Sequence, residues 1–154
     1  MSGARAAPAL LALLLGACAS GPPGPAALDT RNEACSFCRM AVSDPRFAAQ
    51  IVAPGEEPRF FDDAGCLASY VKGKHDALPK QAVAYVADHR TKAWIPARSA
   101  AYTKVEALQT PMGSHVIAHA DAASRDADPD ARGGAPVAAA DLFGPEGPPG
   151  GGLP

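Results

Sequence analysis

The sequence predicts a small α+β domain. Three observations carry that expectation. Short apolar runs end in turn residues and recur in pairs, as antiparallel hairpins do. After the first pair, Cys66, Leu67, Tyr70 and Val71 fall at the spacing of one helix face. Both ends of the 154-residue chain are rich in Gly, Pro and Ala, which confines the core to the middle. Strand pairs with an intervening helix give α+β rather than a parallel sheet.

The elements follow in order. The apolar run at 47–53 ends at Pro54-Gly55, a strand and then a turn. Residues 58–61 are the return strand. Asp62 or Asp63 caps the helix that follows; both read as caps, not as catalytic acids. Gly73 is placed to end that helix as a C′ glycine. Residues 81–88 read as a buried strand, 89–92 as a turn and 93–95 as the return. Further strands are expected at 101–107 and 115–119. Residues 122–131 read as a weak helix that Pro129 limits.

Four segments are expected. Residues 1–17 read as a lipoprotein signal peptide, with Arg5 as its positive end and a short apolar run from Ala9 to Leu15. That run is too short to span a bilayer. Leu15-Gly16-Ala17-Cys18 has the order of a bacterial lipobox, which makes Cys18 the lipidation site. Several acyl chains on one Cys anchor firmly, at about 0.8 kcal/mol per buried CH₂. The protein is therefore expected on the periplasmic side of the cell envelope, held to a membrane by lipid. Ala19, not Asp, follows Cys18; by resemblance to lipoprotein sorting this favours the outer membrane. Residues 18–30 read as a flexible linker, 31–143 as the folded domain and 144–154 as a disordered Gly/Pro tail.

Net charge is −2, with no basic patch or stripe, so nucleic acid is excluded as a partner. With Cys18 used for lipid, Cys35, Cys38 and Cys66 remain. Their number is odd in an oxidising compartment. At least one thiol is then free, metal-bound or paired with a partner.

The chemistry concentrates in Cys35-Ser36-Phe37-Cys38-Arg39-Met40, two thiols and a thioether within six residues. CxxC spacing is shared by zinc sites, redox dithiols and copper sites. The second ligand pair of a zinc site is absent from the sequence. A redox CxxC sits at a helix start, and no helical pattern follows this one. Met40 favours Cu(I), since a thioether is a poor zinc ligand and a good Cu(I) ligand. The plainer alternative is a local disulfide with Met40 as core filler. Met112 lies in the Pro/Gly turn Thr110-Pro111-Met112-Gly113-Ser114, which presents rather than buries it. Cys66 and His115 are further candidate ligands. Cys66 falls in the first turn of the expected helix, which favours thiolate, but an inert buried Cys reads equally well. For His115 and His119, surface or core histidine is the ordinary reading.

Taken together, these motifs resemble the NosL family, the nitrous oxide reductase accessory lipoproteins. The resemblance runs in order through Cys18, Cys38-Arg39-Met40, Phe60-Phe61-Asp62-Asp63-Ala64-Gly65-Cys66-Leu67, Ala84-Tyr85-Val86-Ala87-Asp88, Trp94-Ile95 and Pro111-Met112-Gly113-Ser114. It implies a fold of two similar ββα-type halves. It implies a membrane-anchored Cu(I) chaperone that supplies copper to a metalloenzyme, nitrous oxide reductase, in denitrification. The family's Cys-x-Met maps onto Cys38 and Met40, and its Met-Gly turn onto Met112. Many members carry a single Cys in the first motif. Here Cys35 is added, and Arg39 stands where Gly is common in the two-cysteine forms. Cys35 is then a further ligand or a redox partner of Cys38. The expected copper ligands are Cys35, Cys38, Met40 and Met112, and no enzymatic step is expected. The alternative function is a thiol–disulfide reductase that acts on a copper-protein cysteine pair through Cys35 and Cys38.

Overall fold

The computed structural model describes residues 21–74 and 77–150. The expected signal segment and Cys18 lie outside those residues. Among them, no helix is long and apolar enough to cross a membrane.

Two ββα units form the framework. In the first, β1 (Ala49–Val52) pairs antiparallel with β2 (Arg59–Phe61), and α1 (Ala64–Lys74) follows. In the second, β5 (Ala101–Lys104) pairs antiparallel with β6 (Val116–His119), and α2 (Ala122–Asp126) follows. Between them, β3 (Val83–Ala87) and β4 (Trp94–Pro96) extend the first sheet to the order β2-β1-β3-β4. After the second unit, β7 (Ala135–Val137) joins β5, giving β6-β5-β7, and α3 (Ala139–Phe143) follows. The expected α+β class and its two halves are therefore present.

Hydrophobic burial holds the halves together. Leu67, Ala68 and Val71 of α1 pack in one cluster with Ile51, Phe61, Val86, Tyr102 and Phe143. Each large side chain buried there contributes about 1.5–3 kcal/mol. Phe61 meets Tyr70 at 5.1 Å between ring centroids, and Tyr102 meets Phe143 at 5.6 Å. Asp88 joins the halves with polar bonds. Its carboxylate accepts from Thr91 N (2.9 Å) and Thr91 Oγ1 (2.9 Å) in the turn after β3. It also accepts from Ala120 N (2.8 Å) and Ser124 Oγ (2.7 Å) beside α2. Burial works against the charged form, but these four donors outweigh it and hold the Asp88 carboxyl below the usual range.

Several expected boundaries move. β1 starts at Ala49, because Phe47 turns away into a small second cluster with Val105, Ile117 and Ala131. β5 stops at Lys104, where a turn closed by Leu108 N–H to Val105 O (2.9 Å) begins. Gly73 is helical, not a left-handed cap, and α1 runs on to Lys74. The expected weak helix at 122–131 splits in two. Asp121 caps α2 by accepting from Ser124 N at 2.8 Å. A short 3₁₀ turn, Pro129–Ala131, then starts afresh, because Asp128 before the proline is extended.

The two low-complexity flanks also differ from expectation. Gln50, fully buried in β1, exchanges two hydrogen bonds with the backbone of Ala26, and Tyr85 donates to Pro23 O at 2.8 Å. Residues 23–28 are thus docked where a free linker was expected. Ala84 N donates to Pro149 O (2.8 Å), and Arg98 donates to Pro148 O (3.0 Å). Residues 144–150 therefore lie along the first sheet, where a disordered tail was expected. Proline removes an N–H but keeps its carbonyl, so a Pro-rich strand still accepts hydrogen bonds.

Candidate metal centre

The Cys35–Met40 segment closes on itself. Cys35 N–H donates to Met40 O (2.7 Å) and Arg39 N–H to Cys35 O (3.0 Å), while Ala34 and Ala41 form a β-bridge. Ser36 N–H donates to Phe60 O (2.8 Å), which ties the loop to β2. Arg39 takes φ 69°, the left-handed region that glycine enters more cheaply. The loop buries Cys35 completely and leaves Cys38 half-buried.

The third thiol arrives from α1. Asp63 caps that helix by accepting from Cys66 N at 2.9 Å, and Cys66 is buried. The sulfur atoms of Cys35, Cys38 and Cys66 all lie within 4.8 Å of one another. All three are free thiols, so the local Cys35–Cys38 disulfide is not formed. Three sulfurs bound to one ion at about 2.3 Å would stand about 4 Å apart. The trio is therefore already close to the spacing that coordinates a thiophilic ion.

The three thiols are not equivalent. Cys35 is held well below the ordinary thiol range, chiefly because the Cys66 thiol donates to it. The backbone N–H of Cys38, 3.5 Å from Cys35 Sγ, assists, as do those of Asp62 and Phe37. Cys66 is pushed up by the same bond to Cys35 and then by burial. Burial also pushes Cys38 up. The shared hydrogen bond favours negative charge at Cys35, and an incoming cation displaces the protons of the trio. The Asp62 carboxyl is pushed up by burial and then by the Cys35 charge.

Asp63 also carries the Met112 turn. Its Oδ2 accepts from Thr110 Oγ1 (3.0 Å), Met112 N (3.2 Å) and Ser114 Oγ (2.9 Å). One buried carboxylate thus holds both the Cys66 helix start and the Met112 backbone. Two glycines permit this approach. Gly113 takes φ 68° in the turn, and a Cβ on Gly65 would lie 2.5 Å from Ser114 Cβ.

Met40 is 56% exposed and Met112 41%. Neither is core filler. His115 is not part of the convergent group; its Nδ1 donates to Leu108 O at 2.8 Å. Sequence reasoning brought Cys35 and Cys38 together and left Cys66 open; the fold adds Cys66 to them. It read Asp63 as a cap and missed its grip on the Met112 turn. The cap was readable from the spacing to Cys66, whereas the bonds to 110–114 span the two halves.

The comparisons with known proteins agree with this geometry. The family model described as NosL matches residues 25–143. No curated protein matches the chain. A copper-binding accessory protein is what that family suggests, and the cysteine trio fits such binding. The match covers most of the sequence and includes both ββα units and all three thiols, so the chain belongs to the NosL family.

Proposed function

We propose that this protein is a membrane-anchored Cu(I) chaperone that delivers copper for metal-site assembly, with nitrous oxide reductase as the acceptor. The observation that carries the reading is the convergence of three free sulfurs within 4.8 Å. Sulfur ligands select Cu(I). Cys35, Cys38 and Cys66 supply the thiolates, and the exposed thioethers of Met40 and Met112 supply ligands that lead the ion out. Transfer proceeds by ligand exchange. An acceptor thiolate, thioether or imidazole binds first, and one protein sulfur then leaves. No bond in a substrate is made or broken. The lipid on Cys18 keeps the carrier at the envelope surface, where a periplasmic acceptor passes.

The test is an anaerobic Cu(I) competition titration against a chromophoric chelator. Cys38→Ala and the double variant Met40→Ser/Met112→Ser should each weaken binding at least tenfold, equivalent to about 1.4 kcal/mol. Unchanged Cu(I) affinity in both, with thiol–disulfide exchange retained by the double variant, would replace the chaperone by the reductase reading.

A further inference from the structure

A second cluster of ligating side chains lies apart from the thiols. His89 follows β3, and its N–H donates to Ala118 O of β6 at 2.8 Å. His119 is the last residue of β6. Asp128 sits in the extended link between α2 and the 3₁₀ turn. All three are buried, at 3%, 0% and 4% exposure. Asp128 Oδ2 lies 2.7 Å from His89 Nδ1 and 2.9 Å from His119 Nε2. The other carboxylate oxygen is oriented by Asp130 N–H at 2.9 Å.

We infer that His89, His119 and Asp128 form a second metal site, for a divalent first-row cation of the Zn(II) and Cu(II) class. Two imidazoles and one carboxylate suit such ions, whereas Cu(I) prefers sulfur. The three ligand atoms lie within 4.8 Å of one another. Bonds of about 2.0–2.2 Å in tetrahedral geometry put ligand atoms about 3.4 Å apart. Each N···O contact therefore opens by a little over half an ångström to admit the ion.

Hydrogen bonding alone leaves this cluster unfinished. With both near nitrogens donating to Asp128, the far nitrogens, His89 Nε2 and His119 Nδ1, are buried without a partner. His89 Nε2 then turns a lone pair toward a second carboxylate, Asp130 Oδ2, 4.0 Å away. When Nδ1 instead binds a cation, the ring proton moves to Nε2 and faces that carboxylate. At 4.0 Å this is a charge contact, which shortens to the hydrogen bond that metal-bound histidines ordinarily make only if the Asp130 side chain moves in.

One of the three ligands borders open space: a cavity of about 380 Å³ is lined by Asp128 together with Thr103, Asp126 and Arg132. Three protein ligands leave a fourth position for a water, as in other three-ligand sites.

The probe is Co(II), followed anaerobically by its visible spectrum. The full chain carrying Cys38→Ser and Cys66→Ser should still bind one equivalent. Its d–d bands should appear without sulfur-to-cobalt charge transfer. Adding Asp128→Asn should weaken that binding at least tenfold. Absence of the bands in the thiol variant, or bands indifferent to Asp128→Asn, overturns the site. A measurement without substitutions guards against misfolding. Zn(II) added to the native chain after Cu(I) should shift the imidazole ¹⁵N resonances of His89 and His119 and spare those of His115. Unmoved His89 and His119 signals overturn it equally.

Discussion

Replacing Asp63 with alanine removes a buried carboxylate that takes four hydrogen bonds, one from α1 and three from the Met112 turn. The four are not lost equally. Thr110 Oγ1 and Ser114 Oγ stand 3.2 Å apart, so one hydroxyl can donate to the other. Cys66 N and Met112 N are left as orphans. An unsatisfied buried donor costs about 1–3 kcal/mol, and a lost helix cap alone about 1. Asp63→Ala should therefore cost about 3–5 kcal/mol, a large part of the 5–15 kcal/mol typical of a domain. Asp63→Asn behaves differently. Its amide oxygen can face the three donors of the 110–114 turn, so that its NH₂ opposes only Cys66 N–H. That loss is about 1–2 kcal/mol, close to the value of the cap. Urea unfolding followed by far-UV circular dichroism checks both, with the midpoint shifting at constant m. A loss below about 1 kcal/mol in Asp63→Ala, or equal losses in the two variants, would refute the role assigned to Asp63.

Two further outcomes follow from the same geometry. Gly65→Ala should destabilise by about 1–2 kcal/mol, because the 2.5 Å approach to Ser114 Cβ outweighs the helix preference of alanine; thermal unfolding with unchanged or raised stability would contradict the close approach. Asp88→Asn should cost about 2–4 kcal/mol at pH 7, since two of its four donors are backbone N–H groups. Because the folded pKa of Asp88 lies below its unfolded value, its contribution is complete above about pH 4 and fades as pH falls through the folded value. The gap between wild type and Asp88→Asn should then narrow toward acid, and a gap that widens there would exclude this account.

Much of the fold was legible in local sequence. The run before Pro54-Gly55, the apolar spacing in 66–71 and the alternation of short strands placed both ββα units. Errors fell where a local rule met a tertiary partner. Gly73 looked like a cap but stays helical. The Pro-rich flanks looked unstructured, yet Gln50 and Tyr85 hold the first and Arg98 and Ala84 hold the second. No pattern within residues 18–30 or 144–154 announces partners supplied by distant strands.

The candidate centre divides in the same way. The pairing of Cys35 with Cys38 is a matter of spacing, and a tight loop brings their sulfurs together with few alternatives. The helix cap at Asp63 and the exposed turn at Met112 are also local consequences of residue type. Cys66 is different. Alone it reads equally as core or ligand; only the packing of α1 against β2 carries its sulfur to the Cys35 loop. His89, His119 and Asp128 likewise show no spacing motif. They meet because the turn after β3 bonds to β6 and the Asp128 link crosses both. Sequence by itself determined the elements, the CxxC loop and the thiophilic character of the chain, because these depend on neighbours along the backbone. The third thiol, the double grip of Asp63 and the second ligand cluster were decided by tertiary structure, because each depends on how α1 and β6 pack against each other and against the first sheet.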